Sequence, residues 1–243
     1  TTASTTALLV CATSPSAPVL GLGLLVGGLG NAIGQPAGNA LVAAHVRPER
    51  YGLGFAIKQS GIPLATTLGG LAVPLIALTL GWRYAYMLAA LAAVSAVLLV
   101  PRDRPATAAR SERRVPTELT GRLWVLAVGM VAAVIAATSI GALGAAGGVQ
   151  AGLSEATAGY LVAAGGLAGL SVRLAAGVSA DRWDFDALNG VSILCVLGAV
   201  GWLLMAAGPQ PLFIVGLVVA NAFGWGWPGL QHLSVARRFP TST

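Results

Sequence analysis

Three amide side chains, Asn31, Gln35 and Asn39, recur every fourth residue in the apolar, glycine-rich run Pro18 to Val46, so on a helix they share one face. Amides that deep in an apolar segment need partners and turn toward protein or water rather than lipid. Their chemistry is recognition: donors and acceptors that read a solute without breaking its bonds. The same residues can instead serve as adhesive, each interhelical hydrogen bond contributing about 0.6 kcal/mol. Farther along, Asn221, Trp225, Pro228 and His232 share a face by the same geometry. His232 lies toward the basic end of its run, where a structural histidine is expected rather than a proton relay. His45, beside Arg47, belongs to an interface. Lys58, followed by Gln59, sits about two turns inside its own apolar run, and two readings stand. Its stem can snorkel to the interface, or it can point inward and bring an anionic solute into range.

Other chemistry lacks its residues. Every acid maps to a loop or a helix boundary, so no mid-span carboxylate offers itself as a proton carrier. No Ser/His/Asp constellation is apparent, which argues against a membrane enzyme. Cys11 and Cys195 show neither CxxC nor Cys/His spacing and read as inert thiols, so no metal site is expected. Gly21, Gly23 and Gly27 depart from the G-x-G-x-x-G spacing of a dinucleotide site, and no cofactor is expected.

The elements that hold these residues follow from composition. Of 243 residues, 56% are hydrophobic and 9% charged, with a mean hydropathy of +0.80. A soluble domain is about a quarter charged, so this chain must be solvated by a lipid bilayer. A net charge of +6 and a pI near 10.2 would suggest nucleic acid in a soluble protein. Here the arginines flank apolar runs without a basic patch or recognition motif, and no nucleic-acid partner is expected.

One long polar run, Pro101 to Arg122, carries six arginines against Asp103, Glu112 and Glu118. Its Pro, Ala and Ser content reads as a linker, and its charge assigns it to the cytoplasm. It divides the chain into an N-terminal membrane portion, 1–100, a cytoplasmic linker, 101–122, and a C-terminal membrane portion, 123–243. Spans are expected over Pro18 to Val46, Tyr51 to Leu80, Met87 to Val100 (beginning near Trp82), Leu123 to Val149, Tyr160 to Ala180, Leu188 to Ala207 and Pro211 to Val235. Gly61, Ala65, Gly69 and Ala72 should make a small-residue packing seam, and Pro63 and Pro74 should act as kinks. Counted this way, Arg83 is the only Lys or Arg of the fourteen on the outer side. TTASTTALLVCA is too short to span a bilayer, and ARRFPTST ends in a basic loop, so the chain reads as an internal fragment.

A shift of 192 positions aligns Gly34, Pro36, Leu41, Ala44 and Pro48 with Gly226, Pro228, Leu233, Ala236 and Pro240, each pair identical. Both stretches are inward-running segments that end in a basic turn, which implies a parallel repeat about an axis normal to the membrane. Arg173, Gly177, Asp181 and Arg182, in RLAAGVSADRWD, match the R-x-x-x-G-x-x-x-D-R signature that transporters of the major facilitator superfamily place between the second and third helices of each half. The chain therefore resembles helices three (partial) to ten of that family. Five residues, LATTL, separate Pro63 from Gly69 where the family's antiporter motif has two, so export by antiport is not supported.

The resemblance implies an all-α, polytopic transmembrane helix bundle with two pseudo-symmetric halves, working as a secondary transporter of a small polar or amphipathic organic solute by alternating access. A proton is the candidate coupling ion. A polytopic protein that binds or senses a ligand without transport is the rival. The resemblance makes the helix of Asn31, Gln35 and Asn39 a cavity-lining one. Asn221 and Trp225 would face it from the other half, with Lys58 at the inner rim. Gly165, Gly169, Arg173, Gly177 and Asp181 step by four along one face and read either as a gate or as a packing seam anchored by arginines. In the gate, Asp181 faces either a neighbouring helix N-terminus or a basic residue, and Arg173 ties the turn. Thirteen arginines to one lysine amid abundant Ala and Gly hint at a GC-rich bacterium, hence an inner (plasma) membrane.

Single cysteines at Ser111 and Ser154 of the full-length, cysteine-free protein should react from opposite sides with a membrane-impermeant maleimide. Equal labelling from outside would overturn the orientation.

Overall fold

The computed structural model describes residues 2–99, 117–183 and 185–238. Most of the basic linker lies outside these, as do Asp184 and Pro240. Ten α-helices follow in order among the described residues: α1 (Thr2–Thr13), α2 (Ala17–His45), α3 (Tyr51–Gln59), α4 (Gly61–Ala72), α5 (Trp82–Leu99), α6 (Thr117–Gln150), α7 (Glu155–Arg182), α8 (Ala187–Ala206), α9 (Gln210–Gly224) and α10 (Pro228–Arg238). α6 starts at Thr117, inside the stretch assigned to the linker, rather than at Leu123. Taken with its interruptions, the chain makes seven apolar segments long enough to cross a bilayer, and α1 is shorter. Leu22, Leu25, Leu29 and Ile33 on α2 and Leu98 and Leu99 on α5 stand exposed, as lipid-facing residues must.

Local chemistry sets several boundaries. Ser154 Oγ accepts from Thr157 N at the start of α7, and Asp186 Oδ1 accepts from Leu188 N at the start of α8. Gly81, Gly152 and Gly208 close their turns at positive φ. Arg83 donates to Ser14 O just past the end of α1 and lies 4.6 Å from the Trp82 ring centroid.

Two expected spans are broken. The Tyr51 to Leu80 segment divides at Ser60 into α3 and α4, then passes into a π-turn over Val73–Ala77 that absorbs Pro74. The last span divides at Trp225 to Trp227, between α9 and α10. Here the aligned stretches part company: Pro36 lies inside an uninterrupted α2, while Pro228 opens α10 after a break.

The N-terminal and C-terminal portions meet where α3 and α4 cross α7, and where α10 reaches α3. The contact is backbone to backbone. A Cβ on Gly177 would stand 2.6 Å from Ala56 Cβ and 2.7 Å from Gly52 O, and one on Gly70 would stand 2.5 Å from Ala163 N. The seam expected at Gly61, Ala65 and Gly69 is not the one used. Those residues are exposed, and Pro63, Thr67 and Gly70 are buried instead. The face is chosen by α7, whose Gly159 and Gly166 admit the α4 backbone at Gly70 and Thr67. Inside the C-terminal portion, Phe55 from α3 joins Leu194, Trp227, Leu230 and Leu233 in one apolar cluster, and Ile140, Val162, Phe213 and Leu217 form a second.

Gly70→Val should therefore force α4 from α7 and lower stability by about 1–3 kcal/mol. Gly69→Val, where a Cβ meets nothing within 4 Å, should change it by no more than about 0.5 kcal/mol. Thermal unfolding of the purified protein in detergent measures both, and equal effects would contradict the assigned face.

Candidate solute-binding and gating site

Proline geometry creates the first requirement of the site. Pro63 has no N–H, so the carbonyl four residues earlier, Gln59 O, loses its helical donor. In hydrocarbon that carbonyl must find another. Arg173, on α7 and only 1% exposed, supplies it through Nη1. Its Nε, at 3.0 Å, and its Nη2 donate to Trp225 O, the C-cap carbonyl of α9. The neighbouring freed carbonyl, Ala56 O, accepts from Ser60 Oγ at 2.7 Å. One guanidinium thus bridges both helix breaks, one in each portion of the chain. Its charge also sits at the C-terminal, negative ends of α3 and α9. This differs from the expectation that Arg173 ties the turn at the end of α7.

The rest of the signature runs toward α3. Asp181 accepts from Gly52 N at 2.7 Å and Leu53 N at 2.8 Å, in the first turn of α3. Gly177 makes the room for this approach, since its Cβ would strike Ala56 and Gly52. Gly165 and Gly169 lie on a different side: their Cβ positions fall 2.9 Å from Asn221 Nδ2 and Asn221 O. A four-residue step advances about 40° beyond a full turn, so four steps rotate the row by about 160°. The row is a spiral from α9 to α3, and Arg173 stands where it passes between them. Arg182 closes α7 as its last residue and is exposed.

The amide stripe is partly assembled. Lys58 Nζ donates to Gln35 Oε1, and Gln35 Nε2 donates to Asn31 Oδ1 at 3.3 Å. The lysine stem lies across α2 where Gly38 has no side chain; a Cβ there would come 2.9 Å from Lys58 Cε. Asn39 belongs to a second group. Its Nδ2 lies 3.5 Å from His232 Nδ1, and His232 Nε2 meets Gln59 Nε2. Phe55 packs on the imidazole with centroids 5.8 Å apart. A neutral imidazole has one donor and one acceptor nitrogen, so one flanking amide must present oxygen. Asn39 Oδ1 is buried without a partner as placed, and a half-turn of that amide gives it the Nδ1–H. His232, read from sequence as structural, is thus a bridge between α2 and α3 on one side and α10 on the other.

Asn221 and Trp225 do not face this stripe. Asn221 is 1% exposed, packed against α7, with Nδ2 on Leu217 O. Trp225 is buried and offers its carbonyl to Arg173. Asn221 Oδ1, Trp225 Nε1 and Gln231 Oε1 have no partner among the described residues, while Gln231 Nε2 donates to Met130 Sδ on α6. Spacing alone could not have found the Gln59 carbonyl as a ligand of Arg173. The signal was Pro63, four residues downstream. Cys11 and Cys195 are free, and no group of three metal-ligating side chains exists among the described residues.

Arg173→Ala should leave two carbonyls unsatisfied in the bundle, at about 1–3 kcal/mol each, and largely abolish recovery of folded protein. Arg173→Lys, which cannot fork to two carbonyls, should fold with a lowered Tm. Parental Tm in both variants, measured after purification in detergent, would contradict the bridge.

Neither a curated protein nor a solved structure matches the chain significantly. A family model, that of the Major Facilitator Superfamily, matches residues 1–242. With an all-helical membrane bundle and the R-x-x-x-G-x-x-x-D-R signature at the end of α7, the chain belongs to the Major Facilitator Superfamily, a family of membrane transporters.

Proposed function

We propose that the protein is a secondary transporter that moves a small polar or amphipathic organic solute by alternating access, in a bacterial inner membrane with segment 101–122 on the cytoplasmic side. The observation that carries this reading is that polar groups of the two portions meet one another inside the bundle. Asn39 and Gln59 from the N-terminal portion enclose His232 from the C-terminal one. Interhelical hydrogen bonds in membranes contribute only about 0.6 kcal/mol each. Such contacts hold one arrangement and still exchange for a solute or for water when the portions separate.

Asn31, Gln35, Asn39 and Lys58 form the reading surface. Asn221 and Trp225, buried against α7 and at Arg173, lie outside that surface in this arrangement. The gate lies at the linker-side end of α7. Asp181 on the first-turn N–H groups of α3 is a charge-assisted contact, and Gly177 lets the helices close behind it. Breaking these contacts opens the cytoplasmic side, and a solute that binds the two arrangements with different affinity shifts their populations. A proton is the candidate coupling ion.

The test is flux into proteoliposomes holding the full-length protein, for solutes that it accumulates above empty liposomes. Asp181→Asn and Gly177→Leu should lower the rate about tenfold or more while insertion is kept, because the first loses about 1.5–3 kcal/mol of charge-assisted bonding in one state only. Asn31→Ala and Gln35→Ala should raise the apparent KM. Parental kinetics in all four would remove the proposed gate and site, and no flux of any solute would favour a binding or sensing protein.

A further inference from the structure

We infer that the solute carries a single negative charge, a carboxylate, and that Lys58 is the residue that binds it. The inference rests on the proposed solute site and assigns its charge preference. It starts from an imbalance. Lys58 lies about 10 Å along α3 from Tyr51, half-buried, and the hydrogen bond that it makes is to a neutral amide oxygen, Gln35 Oε1. Glu49, Glu155, Asp181 and Asp186 sit at helix ends, and no carboxylate pairs with Lys58 among the described residues. A half-buried ammonium without a counter-charge has lost part of its hydration and gained no ion pair for it.

Snorkelling does not describe this side chain. Its stem passes over α2 at Gly38, where a Cβ would come 2.9 Å from Lys58 Cε, and its head reaches the amide stripe. The hydrogen bonds that follow all run one way. Lys58 donates to Gln35, and Gln35 donates to Asn31. Each side-chain carbonyl of this pair already has a donor, while the other ammonium hydrogens and the exposed Asn31 amide nitrogen remain as donors. A row of unused donors ending in a cation fits an acceptor-only group such as a carboxylate.

Charge counting sets the valence. The other ionised cation within the bundle, Arg173, has its nitrogens on Gln59 O and Trp225 O and is 1% exposed, so it does not reach a solute. One ammonium balances one carboxylate. A phosphate dianion would leave a charge uncompensated at the same site.

The experiment uses the full-length protein in nonionic detergent and reads Tm against concentration for matched probes: lactate and lactamide, benzoate and benzamide, with tetramethylammonium as the cationic comparator. At least one acid should stabilise the protein with an apparent Kd about tenfold or more below that of its amide, the factor expected of one charge-assisted bond. Lys58→Gln should erase that preference, and Lys58→Arg should keep most of it. Added phosphatidylglycerol should not displace the acid; displacement would make the ligand a lipid headgroup and overturn the assignment. Equal binding of acid and amide, no binding by either acid, or an acid preference that survives Lys58→Gln would overturn it as well. The acid-against-amide comparison in the unmodified protein needs no variant to fold. If neutral amides bind and Gln35→Ala weakens them, the solute site stands and the charge assignment fails. If no probe responds to any change at Asn31, Gln35 or Lys58, both fall.

Discussion

A guanidinium whose partners among the described residues are backbone carbonyls ties the two helix breaks together. Arg173 reaches Gln59 O and Trp225 O, and both carbonyls lie at helix C-termini where partial negative charge accumulates. Each partner solves a problem of the other. The breaks at Ser60 and at Trp225 to Trp227 expose carbonyls that hydrocarbon cannot solvate, and the buried arginine needs acceptors on every nitrogen. Remove the cation and two helices lose their terminations at once. Because the breaks belong to opposite portions of the chain, the same side chain also fixes where α3 and α9 stand relative to α7.

Close backbone contact makes this reach feasible. Gly52 against Gly177 and Gly70 against Gly159 bring α3 and α4 to within van der Waals distance of the α7 main chain. An arginine set between those two crossings spans to both neighbours without extending through lipid. The repeat illustrates the same dependence from the other direction. Pro36 and Pro228 align in sequence, yet only Pro228 follows a break, and the Arg173 bridge ends on the Trp225 carbonyl in that break.

Against this rigid centre, the polar groups of α2, α3 and α10 form a softer layer. Asn39, Gln59 and His232 share contacts in which amide orientation and imidazole tautomer can trade. Lys58, Gln35 and Asn31 form a one-directional chain of donors. Glycine-lined crossings set how near the helices stand, whereas these bonds can be exchanged one for another at little net change. That difference separates the parts of the interface that position helices from the parts whose hydrogen bonds can be exchanged.

By itself the sequence determined the class of solvent, the spans and the helical signature, because hydropathy and charge asymmetry are summed over many residues and tolerate local error. Pro63 and Pro74 announced disturbed helices, and the expectation that Asp181 meets a helix N-terminus needed only the negative charge and a nearby crossing. The choice of face was not legible. Gly61, Ala65 and Gly69 are as small as Thr67 and Gly70, and only the position of α7 selects between the two rows. Periodicity placed Gly165 and Asp181 together, while a mismatch of 4 against 3.6 residues turned them to different neighbours. It likewise could not show that Asn221 packs on α7 or that His232 bridges to Asn39, since residues 193 positions apart meet only through the fold. The direction of Lys58 was left open for the same reason: a flexible stem has both water and protein within reach, and its partner Gln35 stands on another helix.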